Sequence, residues 1–424
     1  PLEPYQLISQ YTLEPLLKSI AEELPSVAVR YGHALESFTD HGGSVTGHIR
    51  RLDGTTVDIT ADYLVACDGG GSGVRKQLDI KLAGDANLQQ FRQALYRIDD
   101  LYERIPIGKG RHYHVADGTS SFLITQDSTR HFTLHAVIDN DAAMDAKLEE
   151  VVAMPIKYER LSCAPWRQNL LVADSYQRGR VLMAGDAVHL VIPTGGLGMN
   201  TGVGDAVDLG WKLSATLKGW GGPDLLRSYE IERRQVGERN VAASRFAATG
   251  RRKWRGMYRP NIRDNTPEGA TTRANLIAVA EVEQRKSNEM IGAELGYRYV
   301  DSPIIAGEGE GPPHEFMTYV PSTWPGTRLP HVWLKDRTAV QDRIGYGDHY
   351  TLLRLDGRSD AAGFDKAFAA IGVPFRLLAL DDAHARDIYG YDLMLLRPDM
   401  HIAWRGDAAP HAARLAQLVT GNFY

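Results

Sequence analysis

The feature that most constrains this chain is residues 179–219, which read GRVLMAGDAVHLVIPTGGLGMNTGVGDAVDLGWKLSATLKG. The short apolar run at 181–184 has the length and composition of a buried strand, and it ends at Gly185-Asp186. The turn-rich loop Pro193-Thr194-Gly195-Gly196-Leu197-Gly198 then leads into a helix predicted over about residues 199–218. The window therefore holds a strand, a carboxylate, a glycine loop and a helix, in that order.

This order predicts a ligand site. A carboxylate at the C-terminal end of a strand can accept hydrogen bonds from ligand hydroxyls, and glycines let the backbone approach a flat or anionic group. The start of the helix presents free N–H groups and a partial positive charge. Glycine-rich loops are often turns only, but here four features fall in one short window. We expect the helix to present one apolar face, made by Val203, Ala206, Val207, Gly210, Leu213 and Leu217.

Particular residues of this window also match a family motif. They are Gly185, Asp186, Ala187 and His189, the run Pro193-Thr194-Gly195-Gly196-Leu197-Gly198-Met199-Asn200-Thr201-Gly202, the pair Asp205-Ala206, and Leu209, Trp211, Lys212 and Leu213. The stretch resembles the GD motif of the FAD-dependent aromatic hydroxylases, the single-component flavoprotein monooxygenases related to para-hydroxybenzoate hydroxylase. Ile192 departs from the motif, because many members carry a first proline there.

A second glycine-rich stretch, CDGGGSGVR at residues 67–75, follows a strand predicted at 63–66. Glycines at a strand end let the backbone approach phosphate, and Arg75 could provide a fork for it. The stretch resembles the DG motif of the same family, which implies that Asp68 lies near the ribityl chain and pyrophosphate of FAD and that the motif also serves NAD(P)H. The alternative is a structural turn capped by a buried aspartate.

The amphipathic helix predicted over residues 12–24 follows Gln10, which matches a family glutamine that touches the ribityl chain. The alternative for Gln10 is an exposed amide at a helix start. Together the resemblance implies a set of cofactor-binding residues: Gln10, Asp68, Arg75, Gly185, Asp186, Pro193, Gly195, Gly196, Gly198, Met199 and Asn200. Pro193 is also the predicted catalytic residue, because it would pack near the reacting carbon of the flavin.

At 424 residues the chain is too long for one ordinary domain. The resemblance implies an α/β (α+β) flavoprotein monooxygenase fold. It consists of a partial Rossmann-like FAD-binding domain (1–78 and 166–306), an inserted β-sheet substrate domain (79–165) and a thioredoxin-like C-terminal domain (319–424). Residues 307–313 read as a linker. The C-terminal domain holds no cysteine, so thiol–disulfide chemistry is excluded there and a structural or homodimer role is the default.

The substrate domain is predicted as alternating strands. Alternation puts His131, Thr133 and His135 on one strand face, and His112 with His114 on a face of another strand. One of these polar faces is expected to line the cavity, although a structural role is the simpler interpretation for any single histidine. The charged SYEIERR stretch at residues 228–234 is expected to form a solvated helix face.

Composition and net charge limit the classes of molecule that this chain is expected to bind. A net charge of −5 argues against nucleic acid or an anionic membrane as the main partner. Cys67 and Cys163 are far apart and form no metal or redox motif, which fits a reducing cytoplasm. The sequence begins at Pro1, and no strand–GxGxxG–helix unit precedes the residue 12–24 helix. Because that unit binds the ADP half of FAD, we expect weak or no FAD binding by this stretch alone.

The resemblance implies an FAD- and NAD(P)H-dependent monooxygenase. NAD(P)H reduces FAD, O₂ adds to give a flavin C4a-hydroperoxide, and a hydroxyl group passes to a phenolic or other aromatic ring. Asp186 would hold the ribityl hydroxyls, and N–H groups near Gly198, Met199 and Asn200 would stabilise negative charge on the reduced flavin. Two alternatives stay open. One is a non-catalytic flavin-fold module or fragment, and the other is a related flavoprotein oxidase or dehydrogenase.

Overall fold

The structure is a computed structural model that describes residues 8–126, 128–380, 382–408 and 411–422. The first part of the chain contains, in order, α1 (Gln10–Glu22), β1 (His33–Asp40), β2 (Val45–Arg51), β3 (Thr56–Ala61), β4 (Leu64–Ala66) and α2 (Gly73–Gln77). The strands β1, β2 and β3 form an antiparallel sheet. β4 instead ends at the glycine-rich stretch of residues 67–75 and pairs elsewhere.

The middle of the chain forms a layer built on one large sheet. Its elements are β5 (Leu82–Arg97), α3 (Leu101–Arg104), β6 (His112–His114), β7 (Phe122–Thr125), β8 (His131–Ala136), α4 (Ala143–Val152) and β9 (Glu159–Ala173). One face of this sheet packs against α4 through Ala94, Tyr96, Phe132, Leu134, Met144 and Leu148. The long strand β9 continues across the predicted boundary at residue 165, so the two parts of the fold share a strand.

The glycine-rich window supplies the next elements. They are β10 (Gln177–Arg178), β11 (Val181–Met183), β12 (His189–Leu190), α5 (Leu197–Leu217), α6 (Pro223–Arg255), α7 (Pro267–Glu283), α8 (Arg285–Asn288) and α9 (Ile291–Leu295). β11 lies parallel to β4, with Leu182 opposite Val65. Both glycine loops therefore leave the same edge of one parallel pair, which is where α/β folds place ligands. α8 and α9 are separate helices because the backbone leaves the helical region at Glu289 and Met290.

The apolar face expected on α5 is wrong. Val203 and Val207 are both 54% exposed and Leu217 is 56% exposed. The buried face carries Leu197, Thr201, Asp205, Asp208, Leu209, Lys212 and Ala215. The helical periodicity predicted that the apolar residues of α5 face the core. In the structure the charged residues Asp205, Asp208 and Lys212 face it instead, because they form ion pairs there.

The C-terminal part has the thioredoxin-like arrangement. Its elements are α10 (Val340–Ile344), β13 (Tyr350–Arg354), α11 (Ala362–Ala370), β14 (Phe375–Ala379), α12 (Ala383–Tyr389), β15 (Leu393–Leu396), β16 (Ile402–Gly406) and α13 (Ala412–Val419). The sheet order is β14-β13-β15-β16, with β13 and β14 parallel across α11, and β15 and β16 an antiparallel hairpin. Together with the parallel β4–β11 pair and the helices that follow it, this arrangement confirms the expected α/β class.

A buried network of charges joins this C-terminal part to α5 and α6. Arg397 donates to Glu232 Oε1 at 2.7 Å and to Asp208 Oδ1 at 2.9 Å. Lys212 Nζ bonds the remaining oxygens of the same carboxylates at 2.6 Å and 2.7 Å. Burial alone would raise the pKa of Glu232, but Arg397 and Lys212 lower it to about 2. The solvated face expected at residues 228–234 is therefore wrong for Glu232, whose side chain is fully buried.

Replacing Arg397 tests this network. Arg397→Met leaves buried carboxylates with one cation fewer, and breaking such a network typically costs about 3–5 kcal/mol. The measurement is the free energy of unfolding in urea. Arg358→Met, at an exposed arginine of the same domain, is the control and should change stability by no more than about 0.5 kcal/mol. Equal unfolding curves for the two variants would contradict the role given to Arg397.

Candidate active site

A cleft of about 750 Å³ opens beside the glycine-rich loop. Six of the predicted site residues line it: Asp186, Pro193, Gly196, Gly198, Met199 and Asn200. The opposite wall comes from α6 and from the segment after α9, and includes Arg233, Asn240 and Tyr297. The sequence window therefore forms one continuous wall of a real cavity.

The loop conformation sets the start of α5 at this cleft. Gly195 and Gly196 have φ values of +94° and +70°, in the left-handed region that favours glycine. Gly196 is the N-cap of α5, and no side chain caps the helix there. Because the first N–H groups of a helix have no intrahelical acceptor, the positive end of this 21-residue helix is available to a ligand in the cleft.

A buried aspartate holds the turn that presents Asp186. Asp205 Oδ2 accepts the Gly185 N–H at 3.0 Å and lies 2.7 Å from His189 Nε2. Its other oxygen accepts from Arg233 Nε at 2.8 Å. Burial alone would raise the pKa of Asp205, but His189 and Arg233 hold it below its ordinary value. The turn is thus fixed from beneath, and Asp186 stays exposed on the cleft side.

Asp205 and Arg233 both lie within the sequence motifs described above, but no role was predicted for either residue. Arg233 also donates to Thr201 O at 3.0 Å and to Tyr299 Oη at 3.2 Å. The available signal was spacing, because Asp205 lies on the same helical face as Leu209 rather than on the face of Val203. Finding its partner on α6 requires the tertiary structure.

The lining of the cleft leaves out five of the predicted residues: Gln10, Asp68, Arg75, Gly185 and Gly195. Arg75 is buried and donates to Ala187 O at 2.7 Å and to Gly70 O at 3.0 Å, so it ties the two glycine loops together. Asp68 is exposed and accepts the N–H groups of Gly73 and Val74 at 2.8 Å and 3.2 Å at the start of α2. Gln10 is exposed, and its amide donates to Glu14 at 2.5 Å. Their contact with a cofactor stays a prediction.

A second cavity, of about 640 Å³, lies on the other side of the same loop. Its lining comes from the large sheet, the end of α6 and the loop: Leu88, Gln89, Asp117, Gly118, Ser120, Gln168, Ile192, Thr194, Ala248, Arg251, Arg252, Arg255, Gly256 and Tyr258. Ile192 and Thr194 line this cavity, whereas Val191 and Pro193 line the cleft. The loop segment is therefore a shared wall between the two spaces.

An aromatic layer packs beside this second cavity. Phe91 stacks on Trp166 with ring centroids 4.9 Å apart, and Phe122 stacks on His135 at 4.4 Å. Trp166 Nε1 donates to His135 Nδ1 at 3.1 Å, which requires the neutral form of that nitrogen. His114 lies in the same cross-strand row. The histidines expected along the cavity wall are instead in this layer next to it.

Burial lowers the pKa of His135 and of His114 to about 3, with Arg251 adding to the effect in each case. Below about pH 6.5 each of these two histidines is protonated in the unfolded chain, whereas its imidazole stays neutral in the folded protein until the pH falls to about 3. The free energy of unfolding should therefore fall on acidification from pH 6.5 to 4.5, by up to about 1.4 kcal/mol per pH unit for each such histidine.

In the His135→Gln variant the free energy of unfolding should fall less steeply with decreasing pH, because one of the two histidines no longer contributes. Urea unfolding at each pH measures this slope. The exposed His384 supplies the matched control, His384→Gln, which should keep the slope of the parent protein. A slope in the His135→Gln variant equal to that of the parent would show that His135 takes up a proton in the folded state.

No group of three or more histidine, cysteine, aspartate or glutamate side chains in the described ranges is placed to hold a metal ion. Across the same residues, every helix is too short or too polar to cross a lipid bilayer.

Similarity to known proteins agrees with this geometry. Residues 2–244 match the FAD binding domain family, and residues 322–423 match the C-terminal domain family of aromatic-ring hydroxylases. The chain is 33% identical to the FAD-dependent monooxygenase apdD of Emericella nidulans over 450 residues, covering 96% of this chain and 70% of that protein. It is 32% identical to a 4-methyl-5-nitrocatechol 5-monooxygenase of Burkholderia sp., covering 94% and 74%.

A solved structure shows the same fold. The rebeccamycin biosynthetic enzyme RebC with reduced flavin superimposes with a TM-score of 0.85 at 32% identity, covering 92% of this chain and 74% of that one. The two family matches cover the glycine-rich wall of the cleft and the C-terminal domain that the buried charges join to α5 and α6. This chain belongs to the FAD-dependent aromatic-ring hydroxylases, a family of flavoprotein monooxygenases.

Proposed function

We propose that this monooxygenase hydroxylates a phenolic ring held in the second cavity, with FAD in the cleft, O₂ as oxygen source and NAD(P)H as electron donor. The observation that carries the proposal is the Pro193 loop, which separates the two spaces by the thickness of one extended segment. A ring in one space and a flavin in the other would then meet beside Pro193. The nitrocatechol monooxygenase among the relatives supports a substrate of this class.

The residues of the cleft fit a flavin. Asp186 offers an exposed carboxylate to hydroxyl groups, and Gly196 and Gly198 leave the loop backbone open to a flat ring. The uncapped start of α5 suits an electron-rich ring edge. Exposed Met199 and Val203 offer apolar surface beside it. When bound, FAD supplies the redox chemistry, namely electron transfer from the donor and activation of O₂.

The chain's own residues would position the reactants and stabilise charge. The N–H groups at the start of α5 stabilise negative charge on the edge of the ring that faces them. Pro193 has a fixed φ and no N–H, so it forms a rigid, non-donating wall at the junction of the two spaces. Ile192 and Thr194 continue that wall on the substrate side.

Asp117 does not suit the role of a base for the phenol. It lies 2.8 Å from Lys147 Nζ and accepts hydrogen bonds from Thr119 and Ser121. Burial alone would raise the pKa of Asp117, but these contacts lower it to about 2. A carboxylate with so low a pKa is a poor proton acceptor near neutral pH.

Asp186 tests the cofactor site. In the full-length protein, Asp186→Ala removes a charged acceptor, and we expect FAD to bind about tenfold to a hundredfold more weakly. Titration of the apoprotein with FAD, followed by flavin fluorescence, measures the change. Glu281→Ala removes an exposed carboxylate on α7 and serves as the control. Parent affinity in Asp186→Ala would remove the role proposed for this carboxylate.

Substrate-dependent turnover tests the reaction. Simple phenols, catechols and fused-ring phenols are added to the FAD-loaded enzyme with NADH or with NADPH. We expect at least one phenol to accelerate donor oxidation and to give a hydroxylated product by mass spectrometry. Donor oxidation that no phenol changes, with no hydroxylated product, would contradict the proposed function.

A further inference from the structure

Two arginines on the last turns of α6 line the second cavity and have no hydrogen-bond or ion-pair partner within the described part of the chain. Arg251 and Arg255 are one helical turn apart, so their side chains share a face. Among the described residues, no hydrogen bond or ion pair joins either guanidinium to a protein group. Both Nε atoms and Nη2 of Arg255 are buried with no acceptor. The same region thus holds several unsatisfied donors at a cavity wall.

The fully buried arginines of the molecule have acceptors, unlike half-buried Arg251 and Arg255: Arg233 bonds Asp205, Arg397 bonds Glu232 and Asp208, and Arg75 bonds two carbonyl oxygens. A buried cation without a counter-ion costs free energy, and native proteins rarely keep one without a function. Burial lowers the pKa of Arg251 and of Arg255 to about 10, so both remain charged at neutral pH.

The surroundings do not neutralise this charge. Asp117 is the carboxylate on the cavity wall, but Lys147 already pairs with it at 2.8 Å. His114 and His135 are neutral near pH 7, because burial lowers the pKa of each to about 3. Arg252, which is exposed, also lines the cavity, so its wall carries three arginines against one carboxylate that Lys147 already pairs.

The rest of the wall includes apolar surface from Leu88, Ile192 and Ala248 and the ring of Tyr258, which suits an aromatic occupant. The ring of Phe122, in the aromatic layer behind this wall, lies 5.7 Å from each guanidinium. The volume of about 640 Å³ falls in the range of small-molecule sites. Ile192 and Thr194 place this cavity next to Pro193, where the proposed function requires the substrate ring.

We propose that the substrate is an aromatic acid and that Arg251 and Arg255 bind its carboxylate. The planar guanidinium fork matches a carboxylate in two parallel hydrogen bonds, which favours this group over a single phenolate oxygen. Gln89, Gln168 and Tyr258 remain available for neutral hydrogen bonds to the ring substituents. The inference rests on the proposed function, because it assigns the same cavity to the substrate.

Paired probes test the assignment on the FAD-loaded, full-length protein. Hydroxybenzoates and hydroxynaphthoates are titrated beside their methyl esters, with binding followed by the change in flavin absorbance. We expect the best acid to bind about tenfold to a hundredfold more tightly than its ester. Arg251→Met and Arg255→Met should each abolish most of that preference while leaving the affinity of the ester unchanged.

A control and a stability readout separate binding from folding. Arg227→Met removes an exposed arginine from the first turn of the same helix and should keep the preference for the acid. Thermal unfolding without substrate should show Arg255→Met at least as stable as the parent, because the change removes an uncompensated buried charge. A lowered melting temperature, with the acid preference retained, would mean that the arginine is structural and would overturn the inference.

Other outcomes also decide the matter. Esters that bind and are hydroxylated as well as acids would overturn the carboxylate assignment and leave the proposed function standing. Hydroxylation of neither acids nor esters nor other phenols would remove the proposed function itself. If the arginine variants changed only KM for NADPH and not for NADH, the pair would bind the phosphate of the donor, and the inference would be wrong.

Discussion

The carboxylate of Asp205 is the contact on which the candidate site depends. It is fully buried and joins the Gly185 N–H, His189 and Arg233 at distances of 2.7–3.0 Å. The strand end, the start of α5 and the middle of α6 meet at this one side chain. Without it the Gly185 N–H in the turn that carries Asp186 would lose its acceptor, and the buried guanidinium of Arg233 would be left without its counter-ion.

The same principle extends into the C-terminal domain. Three carboxylates and two cations, on α5, α6 and the β15–β16 turn, form the buried network around Arg397. Buried ion pairs contribute little net stability compared with a well-packed apolar core, but they strongly penalise any arrangement that separates the partners. The network thereby fixes the orientation of the thioredoxin-like domain against the flavin-binding part.

Some of this could be predicted from sequence. The two glycine motifs and the strands that end in them followed from local patterns with a known physical meaning, and the α/β class followed from the family resemblance that these motifs carry. The exposed face of α5 could not be predicted, because Val203 and Val207 look like core residues until the partners of Asp205 and Asp208 are placed. A binding role for Arg251 and Arg255 could not be predicted from the sequence either, since basic residues at the end of a helix ordinarily lie in solvent and complement the helix dipole. Only their position at a closed wall reveals that they lack acceptors.

The proposed function depends on the transfer of oxygen from O₂ to an aromatic ring beside Pro193. The most direct measurement is turnover of a productive phenol under ¹⁸O₂ in ordinary water, with mass analysis of the product, and the reverse labelling in H₂¹⁸O as control. If the enzyme is a monooxygenase of this kind, we expect the new hydroxyl group to carry ¹⁸O from the gas and none from the water. An unlabelled product, with the consumed O₂ recovered as hydrogen peroxide, would show an oxidase and contradict the proposed function.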